Sequence, residues 1–382
     1  MTGKKTRILP FLTPVPPQAT RSLADYALIA FGGVLGVLRS IALLVLAPIF
    51  VGLYGLSIAL SPIRPLRRAL SWVITATFGR IILCLLGFWS VSTQTITRKA
   101  RRADTSGLEN WSPRAGDIIV SNWASWVEVL WLAVRYDPIF VLPVCASKPR
   151  SAASTITPLT PGRRTGTGSA QIATSSAAPR QQILGFRTAS LFEVILATGH
   201  VPPYGSSTST ITTTIEDIRS RADRPLVVFP ECTTSNGRAL LRFADVFVAG
   251  KGKHIKHPVK GFKLYIMCAR YDPPTSSVPT ATHSIPSQST TLPNPLPHLF
   301  TLLLAPTLVQ SLSIRLLAPS ESPSSGSFLA SDVILDGGVA PVDEISEACA
   351  VLMAQAAKIK RVGMGWEDKA AFLDFYRKRK LT

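Results

Sequence analysis

From Ile41 to Leu60 the chain carries no charge: IALLVLAPIFVGLYGLSIAL. About twenty apolar residues is the length at which an α-helix crosses the hydrocarbon of a bilayer. The other way to satisfy such a run is a helix buried on all sides in a protein core. The length favours the bilayer. Pro48 kinks a helix there without forbidding insertion. Upstream, Tyr26–Leu38 is uncharged and ends at Arg39. Downstream, SPIRPLRR forms a basic turn, and Ser71–Phe88 is apolar again apart from Arg80. The pattern predicts a membrane hairpin within residues 23–97, one segment in and a shallower return. Arg80 argues against a plain second span, because a charge at mid-bilayer is costly, and marks that segment as interfacial or re-entrant. A cleavable signal peptide is not expected. Pro10, Pro14, Pro16 and Pro17 break the region where its apolar centre would begin.

Charge points the same way. Lys and Arg number 41 against 22 Asp and Glu, a net +19. Residues 1–102 hold thirteen of the basic residues and one acid, Asp25. Basic and apolar together favour a lipid surface over nucleic acid, whose readers set Lys and Arg among exposed aromatics on a polar face. Charged residues are 16% of the chain, below the ~25% of an ordinary soluble domain. The hairpin's two outer flanks hold nine basic residues against three in the turn, which places both flanks in the cytosol. Five scattered cysteines without a CxxC pair argue against a disulfide framework and a zinc ribbon.

The remainder reads as α/β, a mixed sheet covered by helices. Asp117–Ser121, Ile139–Cys145, Leu226–Phe229, Lys263–Ala269 and Leu312–Leu317 have strand patterns. Helical patterns run from Trp123 to Arg135, then over Leu191–Leu196 and Thr213–Arg221, and close the chain at Glu344–Arg361 and Trp366–Lys378. Three regions follow: a basic, proline-rich tail at 1–22, the hairpin at 23–97, and an α/β domain at 98–382. Low-complexity stretches at 151–178 and 274–297 are expected to be flexible insertions.

One block stands out for chemistry: Phe229–Arg238, FPECTTSNGR. A buried strand ends at Pro230, so Glu231 emerges at the carboxyl edge of the sheet, where α/β sites form. Thr233, Thr234, Ser235 and Asn236 follow, and Gly237 allows an unusual backbone angle. A glutamate, hydroxyls and Arg238 together suit a polyol and a phosphate. The plain alternative is an ordinary polar turn.

The block resembles the FPEGT(R/T)S segment of the glycerolipid acyltransferase superfamily, the lysophosphatidic acid acyltransferases and their relatives. That family sets Asn-His-x-Ser-x-x-Asp at a helix start after a strand. Here DIIV leads into Ser121-Asn122-Trp123-Ala124-Ser125-Trp126-Val127-Glu128, in which Asn122 and Ser125 match. Gly185-Phe186-Arg187 stands where the family has a Gly/Arg substrate block. The ending WEDKAAFLDFYRKRK is similar to a fungal branch, the lysophosphatidic acid:oleoyl-CoA acyltransferases. The resemblance covers roughly residues 100–382. It implies an acyltransferase-like α/β fold and acyl-CoA-dependent acylation of a lysophospholipid, lysophosphatidic acid first. It implies the endoplasmic reticulum or lipid droplet as the membrane, a cytosol-facing catalytic domain, and acyl-CoA as co-substrate. No metal or redox cofactor is expected, since the sequence shows no ligand cluster. The resemblance implies that Asn122 and Ser125 shape the helix start, that Arg187 and Arg238 hold phosphate, and that Glu231 and Thr233 bind the glycerol or headgroup.

The departures lie in the catalytic pair. The family's His is Trp123 here, and an indole has no lone pair to take a proton. The family's Asp is Glu128. Three substitutes present themselves: Glu128 as base, if burial raises its pKa, or as orienter; a displaced histidine among His200, His254 and His257; or Cys232 as acyl-accepting nucleophile. Glu128 also fits a helix-capping carboxylate. Amides at the helix start could steady an oxyanion in any of these schemes. The rival expectation is a non-catalytic member, a lipid-binding or trafficking protein that kept the fold and lost the base.

Overall fold

The structure, a computed structural model, describes residues 10–16, 23–59, 63–97, 111–145, 178–204, 213–287, 291–326, 328–330, 333 and 341–381. The insertion expected at 151–178 lies, except for Ala178, outside the described residues. Two helices come first, α1 (Leu23–Ala59) and α2 (Arg64–Leu85). The rest runs β1 (Ser92–Ile96), β2 (Ile118–Ser121), α3 (Trp126–Tyr136), β3 (Ile139–Cys145), β4 (Ile183–Ala189), α4 (Leu191–Ala197) and α5 (Ile215–Ser220). Then follow β5 (Leu226–Val228), β6 (Ala239–Leu240), β7 (Leu264–Tyr271), α6 (Leu296–Leu303), β8 (Leu312–Leu317), α7 (Glu344–Ala357), β9 (Lys360–Arg361) and α8 (Trp366–Leu381).

Both α1 and α2 are long and apolar enough to cross a membrane. The sequence suggested two apolar segments parted at Arg39, but α1 is one helix of 37 residues. Arg39 does not interrupt it because its charge is satisfied by the protein. Its guanidinium donates to the carbonyls of Leu303 and Ala305, each at 3.1 Å, and of Thr307 at 2.7 Å. These acceptors lie at and just beyond the end of α6, where a helix leaves carbonyls unpaired and its dipole favours a cation. Gly32 and Gly36 permit the close approach, since a Cβ on Gly36 would stand 2.5 Å from the Leu304 side chain. The first half of α1 is thus docked on the α/β domain.

Seven strands form a mixed sheet in the order β1-β8-β7-β2-β5-β3-β4. The central strand β2 lies parallel to both β5 and β7, and β3 lies parallel to β5. The edges turn antiparallel at β3/β4 and β7/β8. Alternate residues feed two cores. Ile118, Val120, Leu226, Val228 and Ile266 pack beneath α7, whereas Ile119, Val227, Phe229 and Met267 pack beneath α3. A run of four fully buried residues in β2 is what a covered parallel strand requires.

Two expected boundaries are corrected. The sheet begins inside the region assigned to the hairpin, because β1 pairs with β8 and Leu83, Leu86 and Phe88 are fully buried in the α3-side core. The stretch 274–297 is not a loose insertion over its described residues. Thr280 through Ser284 are buried, and the His283 amide donates to Ala124 O at 2.8 Å. Hydroxyls and a histidine that pair inside the domain gave this segment its low-complexity look.

Candidate functional site

Because β2 and β5 are parallel neighbours, the loops leaving their carboxyl ends meet, and the two sequence blocks become one polar cluster. Glu231 is fully buried. Its Oε2 accepts the Trp123 amide and its Oε1 the Leu241 amide, both at 2.8 Å. Glu128, also fully buried, is the N3 carboxylate of a capping box whose N-cap is Ser125. Its Oε1 accepts the amides of Ala124 at 2.5 Å and Ser125 at 2.6 Å, and its Oε2 accepts the Tyr271 hydroxyl. Burial pushes Glu128 up to about 7 and Glu231 up to about 8, against the pull of these donors.

From the far end of the chain, α8 contributes Lys369, a lysine with no solvent exposure. Its Nζ donates to Thr233 Oγ1 at 2.8 Å and to Thr234 O at 2.7 Å. Burial lowers its pKa well below the ordinary lysine value, and the neighbouring Glu231 opposes that shift. The N-terminal segment covers the other side. Asn236 donates to Pro10 O at 2.9 Å and to Leu12 O at 3.0 Å, and Phe11 stacks on Phe372.

The expected site residues therefore come together, but mostly to satisfy one another. Asn122 accepts the Ala269 amide at 2.7 Å and donates to Ala269 O at 3.0 Å, tying β2 to β7. Ser125 caps α3. Thr233 donates to His200 O at 2.7 Å while receiving Lys369. Arg187 pairs with Glu193 at 2.8 Å on α4. Arg238 is exposed beside Gly237, whose φ of +71° bears out the unusual backbone angle there. No hydrogen bond or ion pair joins Arg187 and Arg238 to a common partner among the described residues.

Glu128 carries the raised pKa that a role as base requires, and it is also the expected capping carboxylate: both of its oxygens are engaged, by the α3 cap and by Tyr271. The amides of Trp123, Ala124 and Ser125, suited to an oxyanion, already donate to the two glutamates. Cys232 is fully buried and its thiol is pushed well above its ordinary pKa, so it is no thiolate nucleophile. Its φ of +52° also shows why a glycine suits this position. Trp123 is fully enclosed and stacks on Phe229 at 4.8 Å as part of the aromatic core. His257 meets the Phe328 ring edge-on in another part of the domain.

Beside the cluster lies an apolar cleft of about 450 Å³. Leu46, Phe50 and Val51 of α1, Phe78 and Ile82 of α2, Trp126 and Leu130 of α3 and Ile195 of α4 are among its walls, as are Asn294 and Leu299. Sequence reasoning missed this cleft, Lys369, Tyr271, and the pair His283 and Asn294. A signal for Lys369 was legible: it follows Trp366 by three residues and precedes Phe372 by three, so it lies on the apolar side of α8. His283 and Asn294 had no comparable signal inside a Ser/Thr/Pro stretch. No family model matches the chain, and neither a curated protein nor a solved structure matches it.

Proposed function

We propose that this is a membrane-bound protein that takes up a fatty-acyl chain and transfers it from acyl-CoA to a lysophospholipid, lysophosphatidic acid first. The apolar cleft carries the reading. Its volume suits a small-molecule site, and its walls come partly from the two helices fit to enter a membrane. A lipid chain entering from the bilayer would stay in apolar surroundings and avoid the cost of about 0.8 kcal/mol per methylene that exposure to water carries. The likeness of Phe229–Arg238 to the acyltransferase block, the exposed Arg238 and the basic first hundred residues support an anionic glycerolipid as acceptor. The endoplasmic reticulum or a lipid droplet, with the α/β domain in the cytosol, is the setting that fits.

The test is acyl-CoA consumption by the purified full-length protein in vesicles across a panel of lysolipids. Thiol release that depends on lysophosphatidic acid is the expected result. Free extraction of the protein from membranes by alkaline carbonate would count against the membrane half of the reading. A second reading has its own observation: Trp123, which stands where the resembling motif has its base, is enclosed in aromatic core, and both glutamates are engaged, Glu231 by two backbone amides and Glu128 by two amides and the Tyr271 hydroxyl. It makes the protein a lipid carrier or sensor that binds a chain in the cleft and transfers nothing.

A further inference from the structure

The segment between β7 and α6 brings a histidine to the place where the motif lacks one. The His283 amide donates to Ala124 O at 2.8 Å, and Thr234 Oγ1 donates to His283 O at 2.7 Å. The backbone of His283 is thereby pinned between the residue after Trp123 and the threonine of the Phe229–Arg238 block. Its ring Nε2 lies 2.7 Å from Asn294 Oδ1.

The tautomer follows from the partners of Asn294. Its amide nitrogen donates to Leu196 O at 3.0 Å and Thr198 O at 2.6 Å, so Oδ1 is the acceptor, and it also takes the Ser287 amide at 3.0 Å. His283 Nε2 must then carry the hydrogen, which leaves the lone pair on Nδ1. Among the described residues nothing donates to that nitrogen. His298, whose ring lies 4.6 Å away, has no such freedom. Trp126 donates to its Nδ1 at 3.0 Å, and its Nε2 faces Thr280 O at 3.1 Å, an acceptor only. Trp126 and Asn294 both line the cleft, so the histidine pair stands behind the cleft wall beside the first turn of α3.

We propose that His283 is the general base of acyl transfer and Asn294 its positioning residue, replacing in space the imidazole absent at Trp123. This rests on the acyl-transfer reading. Nδ1 accepts the proton of the lysophospholipid hydroxyl as that oxygen bonds to the thioester carbonyl carbon. The tetrahedral intermediate collapses, the carbon–sulfur bond breaks, and His283 returns the proton to the departing thiolate. An ester and free CoA thiol result. Asn294 keeps Nε2 protonated and the ring in place throughout, as an orienting group does for other histidine bases. Burial, with the neighbouring His298, Lys369 and His200, holds the imidazole down to about 3. The neutral ring with its lone pair is thus the resting form.

Full-length protein in vesicles tests this with two parallel readouts: thiol release from acyl-CoA with lysophosphatidic acid, and displacement of a fluorescent fatty acid from the cleft. His283→Gln should lower kcat about a hundred- to ten-thousandfold while chain binding stays within about twofold. Asn294→Ala should lower kcat with KM unchanged. In protein labelled with ¹⁵N at its five histidines, Asn294→Ala should also erase the Nε2–H signature of His283. Wild-type transfer that survives His283→Gln at a tenth of its rate or more overturns the base and leaves acyl transfer standing. Chain binding by wild type with no transfer to any lysolipid overturns both. Should His283→Gln not fold, the wild type decides alone. Its kcat/KM must fall with the titration of the His283 nitrogens, and a limb that tracks a carboxylate near pH 7 overturns the assignment.

Discussion

The apolar cleft and the polar cluster share the first turn of α3, yet they are built on opposite principles. On the cleft side, Trp126 and Leu130 face the two N-terminal helices across open space of about 450 Å³. On the other side, Ser125 and Glu128 close a cap, Glu231 reaches two amides, and Lys369 fills what remains. Apolar walls can stand apart because they leave no hydrogen bond unmade. Buried charges cannot, since an unpaired polar group costs about 1–3 kcal/mol and an unpaired charge more. Thus the part of the molecule that reads most like chemistry in the sequence is the most completely closed, and the part without a motif is the open one.

Breaking the cluster should have the largest effect. Glu231→Ala would orphan the Trp123 and Leu241 amides and leave Lys369 buried without its acidic neighbour. Uncompensated buried charges cost about 3–5 kcal/mol, a large share of an ordinary domain's stability. Equilibrium urea unfolding should show that loss. Wild-type stability together with lost lysolipid binding would instead make Glu231 a ligand residue and dissolve the contrast.

A pH series sharpens it next. Glu128 is raised from 4.5 to about 7 in the folded chain, so the unfolded state sheds its proton first as pH rises. Its contribution is fully present below about pH 4.5 and is lost as pH rises through about 7, with a limiting slope of about 1.4 kcal/mol per pH unit. Glu231, raised from 4.5 to about 8, loses its share in the same sense as pH rises through about 8, so it adds to the fall that Glu128 gives. Denaturant midpoints should therefore drop from pH 5 to 7, and Glu128→Gln should flatten the fall. An unchanged slope in that variant would mean another group titrates.

The smallest effect belongs to the cleft. Ile195→Trp places bulk into open space, so stability should stay within about 1 kcal/mol while affinity for a fluorescent fatty acid falls about tenfold. A fall in stability comparable to that of Glu231→Ala would show that the cleft is packed core. Undiminished fatty-acid binding would place the chain elsewhere.

Residue order alone determined the apolar hairpin, the covered central strands and the polar block at the end of β5, because these depend on runs, periods and neighbours in the chain. The unbroken apolar run Ile118, Ile119 and Val120 is enough to say that both faces of β2 are covered. Only the tertiary structure decided what the polar residues touch. Trp123 and Glu231 are 108 positions apart and meet because β2 and β5 pair in parallel, a choice no local pattern encodes. The same holds for Lys369, brought in by a helix near the end of the chain, and for Arg39, which reads as a break in an apolar run until α6 ends beside it. A buried donor or acceptor takes whatever partner the packing brings within about 3 Å, so its role is set by strand order and helix docking and not by its sequence neighbours.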